Sequence, residues 1–234
     1  MLADSTSNSY STNTPQFTSS VKIESLYEEV LIAVIPFFIN TFSQKFNKEV
    51  LSETDLSQNF GIVLDRYIKS NDKIRLCIRE NTKDIYSSEA NNKKMPDFSF
   101  YSCEITDTIK PLYNIEAKRL PQDTKKREYE YVWGYFKNGS SAGGIQRFKT
   151  GDHGYGLPKS ALLGYIEEND FAYWHNTINS WIVNRAKDLP DEWKDDEQLQ
   201  NLDVNSSQIY SVCRSVAHRK LDSIDLFHLW IKIP

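Results

Sequence analysis

The spacing of apolar positions changes along this chain, and each change marks a different element. From Glu24 to about Phe46 the pattern predicts one long helix, apolar on nearly every face between Val30 and Phe42 and carrying Pro36. That segment reads either as a helix buried or kinked within the core, or as a surface covered by another copy or another protein. A second helix is expected over 53–69, with Leu56, Phe60, Val63, Leu64 and Tyr67 on one stripe. Ser52 and Asp55 resemble a capping pair at its start.

The period then shortens to two. Ile74–Glu80, Phe98–Cys103 and Pro111–Ala117 read as strands, with a polar turn over 81–94 between the first two. A glycine-containing loop, 139–144, precedes a short helix ending near Lys149, and a second glycine-rich turn covers 152–156. Ala161–Ile166 reads as a buried strand. Phe171, Trp174, Ile178, Trp181, Ile182 and Arg185 share one face of a further helix, and Tyr210–Val216 and Leu226–Ile233 read as closing strands. The order is that of an α/β domain with helices around one mixed sheet. The first twenty residues, rich in Ser, Thr and Asn, are expected to be a disordered tail.

With 234 residues, 39% hydrophobic, the chain can bury a substantial core. Three widely spaced cysteines, Cys77, Cys103 and Cys213, argue against a disulfide framework or a cysteine zinc site. The longest apolar run is 13 residues, short of the ~20 that a membrane span needs. No basic, apolar-centred leader opens the chain. A cytoplasmic protein without a membrane association is the expectation. The net charge of −4 disfavours a general DNA-coating role but leaves room for a local basic groove.

Candidate chemistry concentrates between Met95 and Leu120. In a strand, residues two apart face the same side at roughly 6–7 Å, so Glu116 and Lys118 point together while Ala117 turns into the apolar layer. If the strand opened by Asp97 pairs alongside, two carboxylates and an ammonium converge. Hard carboxylate oxygens suit Mg²⁺, with Mn²⁺ able to substitute. Glu53 lies within the stripe of the second helix and points toward the sheet.

Pro96-Asp97 and Glu116-Ala117-Lys118 resemble the two halves of the PD-(D/E)XK nuclease signature. The phrases IEAKRLP, GGIQRFKTGDHG and ALLGYI resemble nucleases of bacterial restriction and phage-defence systems. The resemblance covers roughly 50–185, leaving 21–49 as an N-terminal helix extension and 186–234 as a C-terminal one. It implies a restriction-endonuclease-like fold and Mg²⁺-dependent hydrolysis of DNA, with RNA as a second possible substrate. It further implies metal held by Asp97, Glu116 and the Ala117 carbonyl, with Lys118 orienting the attacking water. It implies a third acid as well, usually on the helix before the first strand, for which Glu53 is the choice and Glu28, Glu29 and Glu80 are the alternatives. The alternative is a catalytically silent nucleic-acid-binding or scaffold subunit of a larger complex.

Eight Lys or Arg fall between Lys118 and Lys149, whereas seven acids accompany Lys194 between Asp188 and Asp203. Arg147 is the favoured phosphate contact, followed by Gln146, with Lys149 and Arg119 as further candidates. His153, in GDHGYG, is either a base or phosphate contact or a structural loop histidine. His175 reads as packing or capping, and Cys103 as core filling. The Val30–Phe42 helix is the candidate contact for a homodimer or protein partner.

Overall fold

The computed structural model describes residues 25–45, 51–80, 95–104, 110–122, 124–137 and 139–234, with the side chains of 42–45, 125 and 126 left aside. The expected N-terminal tail and the polar turn over 81–94 lie outside the described residues, as do the Phe42, Lys125 and Lys126 side chains.

Helices α1 (Leu26–Ala33), α2 (Ile35–Lys45) and α3 (Glu53–Lys69) come first, followed by strands β1 (Leu76–Glu80), β2 (Phe98–Ser102) and β3 (Tyr113–Leu120). Then come α4 (Gly144–Thr150), β4 (Lys159–Ile166), α5 (Phe171–Asp188), β5 (Gln200–Val204), β6 (Tyr210–His218) and β7 (Ser223–Lys232). One seven-stranded sheet results, ordered β1-β2-β3-β4-β7-β6-β5. Its centre, β3-β4-β7, is parallel and both wings are antiparallel. Residues of α1, α2 and α3 pack with one sheet face, and those of α4 and α5 with the other. This is the α/β architecture expected from the order of the elements.

The long N-terminal helix is two. The chain breaks between Ala33 and Ile35, and Pro36 falls in the first turn of α2, where a missing N–H leaves no ladder bond unmade. Val30, Leu31, Ile32, Val34, Ile35 and Phe38 are all buried in the chain's own core. Those side chains are therefore spent on folding rather than presented to a partner, although Phe37 remains exposed. The Ser52–Asp55 capping box on α3 forms as expected, with reciprocal bonds of 2.9 and 3.2 Å.

Two boundaries also move. β3 starts at Tyr113 and continues to Leu120, because β4 pairs with it as far as Leu120–Ile166. Glu116 and Lys118 thus sit inside the strand rather than closing it. The segment expected as a C-terminal extension is integral, since β7 lies between β4 and β6. β5, which the apolar pattern does not mark, is a sheet-edge strand with no buried residue.

Candidate active site

At the β2–β3 boundary the last residue pair is Phe98–Ile115, and Asp97 precedes it where the strands part. The Ala117 amide donates to Asp97 Oδ2 at 2.7 Å, which pins the carboxylate against the middle of β3. Strand alternation does the rest. Ile115 and Ala117 enter the core on the α1–α3 side, whereas Glu116 and Lys118 are buried polar groups on the other face. The Lys118 ammonium lies 2.6 Å from Glu116 Oε1 and donates to the Ala117 carbonyl at 2.9 Å.

Glu53, the first residue of α3, reaches the same place from the helix terminus. Its Oε2 accepts from the Arg119 amide at 3.0 Å and the Gln122 side chain at 3.2 Å, and its Oε1 is 3.6 Å from Lys118 Nζ. The rival acids lie elsewhere. Glu28 is buried in an ion pair with Arg214, Glu29 is exposed, and Glu80 packs against Gly61 of α3.

The other wall is α4. A Cβ on Gly144 would meet Leu162 Cδ2 at 2.7 Å and the Tyr131 carbonyl at 3.0 Å, so only glycine lets this helix approach β3 and β4 so closely. Arg147, one turn on, pairs directly with Glu116 Oε1. The following turn folds back under the helix through a 3.1 Å bond from the His153 amide to the Arg147 carbonyl. This brings the fully buried His153 Nε2 to 3.1 Å from Glu116 Oε2. His153, which the sequence left open between a site contact and a structural loop histidine, is therefore a site neighbour. Gln122 is another that no spacing signal marks.

Three sequence candidates are tied into the fold instead. Arg119 makes two 2.6 Å bonds with Glu167. The Gln146 side-chain oxygen accepts from the Gly134 amide at 3.1 Å, and Lys149 pairs with the buried Glu197 while donating to the His218 carbonyl at 2.8 Å. None of the three faces solvent as a phosphate contact would. The Ala117 carbonyl, expected as a metal ligand, is bonded to Lys118.

The electrostatics follow from burial and crowding. Burial opposes ionisation of Glu116, but Lys118, Arg147 and His153 outweigh it and hold its carboxyl far below the usual range. Burial likewise works against the Lys118 charge, yet Glu116, Glu53 and Asp97 keep this ammonium protonated more firmly than a free lysine. Asp97 goes the other way. Desolvation and the charge of Glu116 push it up to about 7, against the pull of Lys118 and the Ala117 amide.

The donor set is made of hard oxygens. Among the described residues no three His, Cys, Asp or Glu side chains form a ready-made metal cage. Mg²⁺ does not require one, because it is commonly held by one or two carboxylates, water and substrate phosphate oxygens. Asp97, on the Ala117 amide, and the neighbouring Glu116 are the two carboxylates that could serve in that way. Comparison of the chain with protein-family models, curated proteins and solved structures finds no match. Among the described residues no helix is long and apolar enough to cross a membrane.

Proposed function

We propose that this chain is a metal-dependent nuclease that hydrolyses phosphodiester bonds of DNA, acting in a cytoplasmic restriction or antiviral defence setting. The observation that carries the catalytic part is the convergence of three acids on β3: Glu116 and Glu53 beside one buried ammonium, Lys118, and Asp97 on the amide of Ala117, which lies between Glu116 and Lys118 in sequence. The defence setting rests on the resemblance of the segments IEAKRLP, GGIQRFKTGDHG and ALLGYI, residues 115–121, 143–154 and 161–166, to restriction and phage-defence nucleases.

Asp97 and Glu116 would hold Mg²⁺ or Mn²⁺, with Glu53 as a neighbouring acid. A bound divalent ion supplies Lewis-acid polarisation of the phosphate and a more acidic attacking water. Lys118, fixed at 2.6 Å from Glu116, holds a positive donor where charge builds in the transition state. Arg147 shares Glu116 with it, so this wall carries two fixed cations, with the His153 ring beside them. A phosphodiester is attracted to such a wall, and α4 keeps it in place.

The test is incubation of the purified chain with Mg²⁺ or Mn²⁺ against circular and linear DNA and against RNA. Metal-dependent cleavage that Asp97→Ala and Glu116→Ala abolish supports the reading. A second reading, a nucleic-acid-binding subunit that does not cut, is favoured by the occupancy of both Glu116 oxygens by Lys118, Arg147 and His153. Absence of cleavage by a folded chain that still binds DNA would select it.

A further inference from the structure

Next to the site, the chain displays aromatic rings in an unusual setting. The hairpin between Trp133 and Ala142 carries Trp133, Tyr135 and Phe136 in close succession, and Tyr135 and Phe136 are 52% and 50% exposed. Isolated exposed aromatics are ordinary. These are held on a fixed backbone.

Tyr135 bridges Ser141, the Phe136 amide donates to the Ser140 carbonyl at 2.9 Å, and the Ala142 amide donates to the Gly134 carbonyl at 2.9 Å. The hairpin is also bolted to α4. Gln146 accepts from the Gly134 amide, and the Gln146 amide donates to the Val132 carbonyl at 2.9 Å. A Cβ on Gly143 would fall 2.2 Å from Trp133 Cα, so the hairpin base sits directly against the start of α4. The buried Gln146 thus serves to position this hairpin.

Cations are interleaved with the rings. The Arg185 guanidinium lies 4.3 Å from the Trp133 ring centroid and donates to the Tyr135 hydroxyl at 2.9 Å. Tyr129 stacks on Trp133 at 5.2 Å with planes 8° apart, extending the row. At its other end the Arg147 guanidinium lies 5.4 Å from the Phe136 ring, while the same guanidinium pairs with Glu116. Phe136 is therefore one side chain away from the carboxylate that carries the proposed chemistry. Lys137, between Phe136 and the loop tip, is exposed.

Alternating rings and cations, continuous with a phosphodiester site, match the two demands of an unpaired nucleic-acid strand. Bases stack on aromatic faces, and the backbone follows positive charge. A paired duplex hides its base faces and gains little from such rings. We infer that Phe136 and Tyr135 form a base-stacking platform at the mouth of this site, so that its substrate is a strand with unpaired bases. The inference deepens the nuclease reading and rests on it for the role of the neighbouring carboxylates.

The experiment measures binding by fluorescence anisotropy with the full chain in EDTA, where no hydrolysis can occur. Labelled single-stranded DNA of about 16 nucleotides, the same length of single-stranded RNA, and a blunt DNA duplex serve as probes. Wild type is expected to bind at least one of the single strands about tenfold or more tighter than duplex. Phe136→Ala should weaken that binding by about five- to a hundredfold, the range for loss of one stacked base, with the salt slope unchanged. Phe136→Trp should restore it, and Tyr135→Ala should show a smaller loss. The DNA and RNA arms identify which strand is recognised.

Equal affinity for strand and duplex, or a Phe136→Ala protein that binds like wild type, overturns the platform and leaves these rings as a protein contact. The two readings fail separately. Strand binding that depends on Phe136, without cleavage of any substrate in Mg²⁺ or Mn²⁺, keeps the platform and removes the nuclease. Metal-dependent cleavage of duplex alone, indifferent to Phe136→Ala, does the reverse.

Discussion

Lys118 Nζ stands 2.6 Å from Glu116 Oε1 and 3.6 Å from Glu53 Oε1, so one buried ammonium is shared by a strand carboxylate and a helix carboxylate. This sharing lets three acids stand close together. A cation among them offsets repulsion that the low local dielectric would otherwise magnify. In the proposed reaction the same ammonium would supply a positive donor where charge builds.

Lys118→Met is the variant that separates chemistry from binding. It keeps the apolar stem and removes the charge. Cleavage should fall by about 10²-fold or more, as when one transition-state donor is lost. Divalent-ion affinity should hold or rise, because a competing cation has gone. Rates near wild type from a folded Lys118→Met protein would remove this lysine from the mechanism.

Asp97 makes the chain sensitive to pH. Its carboxyl titrates at about 7 in the folded protein, above the ordinary value of 3.8, so the folded state retains a proton that the unfolded state releases between those values. This contribution to metal-free stability is therefore full below about pH 4 and is lost as pH rises toward 7. Asp97→Asn should flatten that part of the profile in urea unfolding with chelator. Divalent-ion binding at pH 5–6 should release close to one proton in wild type, and calorimetry in buffers of different ionisation enthalpy measures it. A profile unchanged by Asp97→Asn would assign the titration to another group.

If Glu116 takes a divalent ion as proposed, Arg147 competes with that ion, since its guanidinium pairs with Glu116 Oε1. Arg147→Ala should tighten Mn²⁺ binding several-fold while lowering nucleic-acid affinity and flattening its salt dependence by about one unit of log–log slope. Titration followed by manganese electron paramagnetic resonance reads the first effect. If Mn²⁺ binds no more tightly, Glu116 is not a ligand.

Glu28 tests whether acids outside the site matter for chemistry. It is buried against Arg214, with bonds of 2.6 and 3.2 Å. Glu28→Gln removes the carboxylate charge from this pair while keeping a hydrogen-bond acceptor, and should cost about 1–3 kcal/mol of stability. Cleavage per folded molecule should stay at the wild-type level. Loss of activity at full stability would return Glu28 to the list of candidate acids.

Gly144→Val probes the approach of α4. Its side chain would collide with Leu162 and the Tyr131 carbonyl and push Arg147 and His153 away from Glu116. Activity should drop well below that of Arg147→Ala alone, with the far-ultraviolet circular dichroism little changed. An active Gly144→Val protein would show that the Glu116–Arg147–His153 contact is dispensable.

Local periodicity was enough to place Glu116 and Lys118 on one strand face, Ala117 on the other, and Glu53 on the inward stripe of α3. Those relationships depend only on repeats of two and 3.6 residues. The apolar pattern ran unbroken through Pro36, and only that proline marked where one predicted helix becomes two. That Val30 to Phe38 fill the core, and that β7 completes the sheet centre, depended on which surfaces meet, and no local repeat records that. Arg147 and His153 show the limit most sharply. Each is distant in sequence from Glu116, and they reach it because Gly144 admits α4 against β3 and because the His153 amide bonds back to the Arg147 carbonyl. Short-range spacing describes one element at a time, whereas the close packing of two elements decides which charges share a carboxylate.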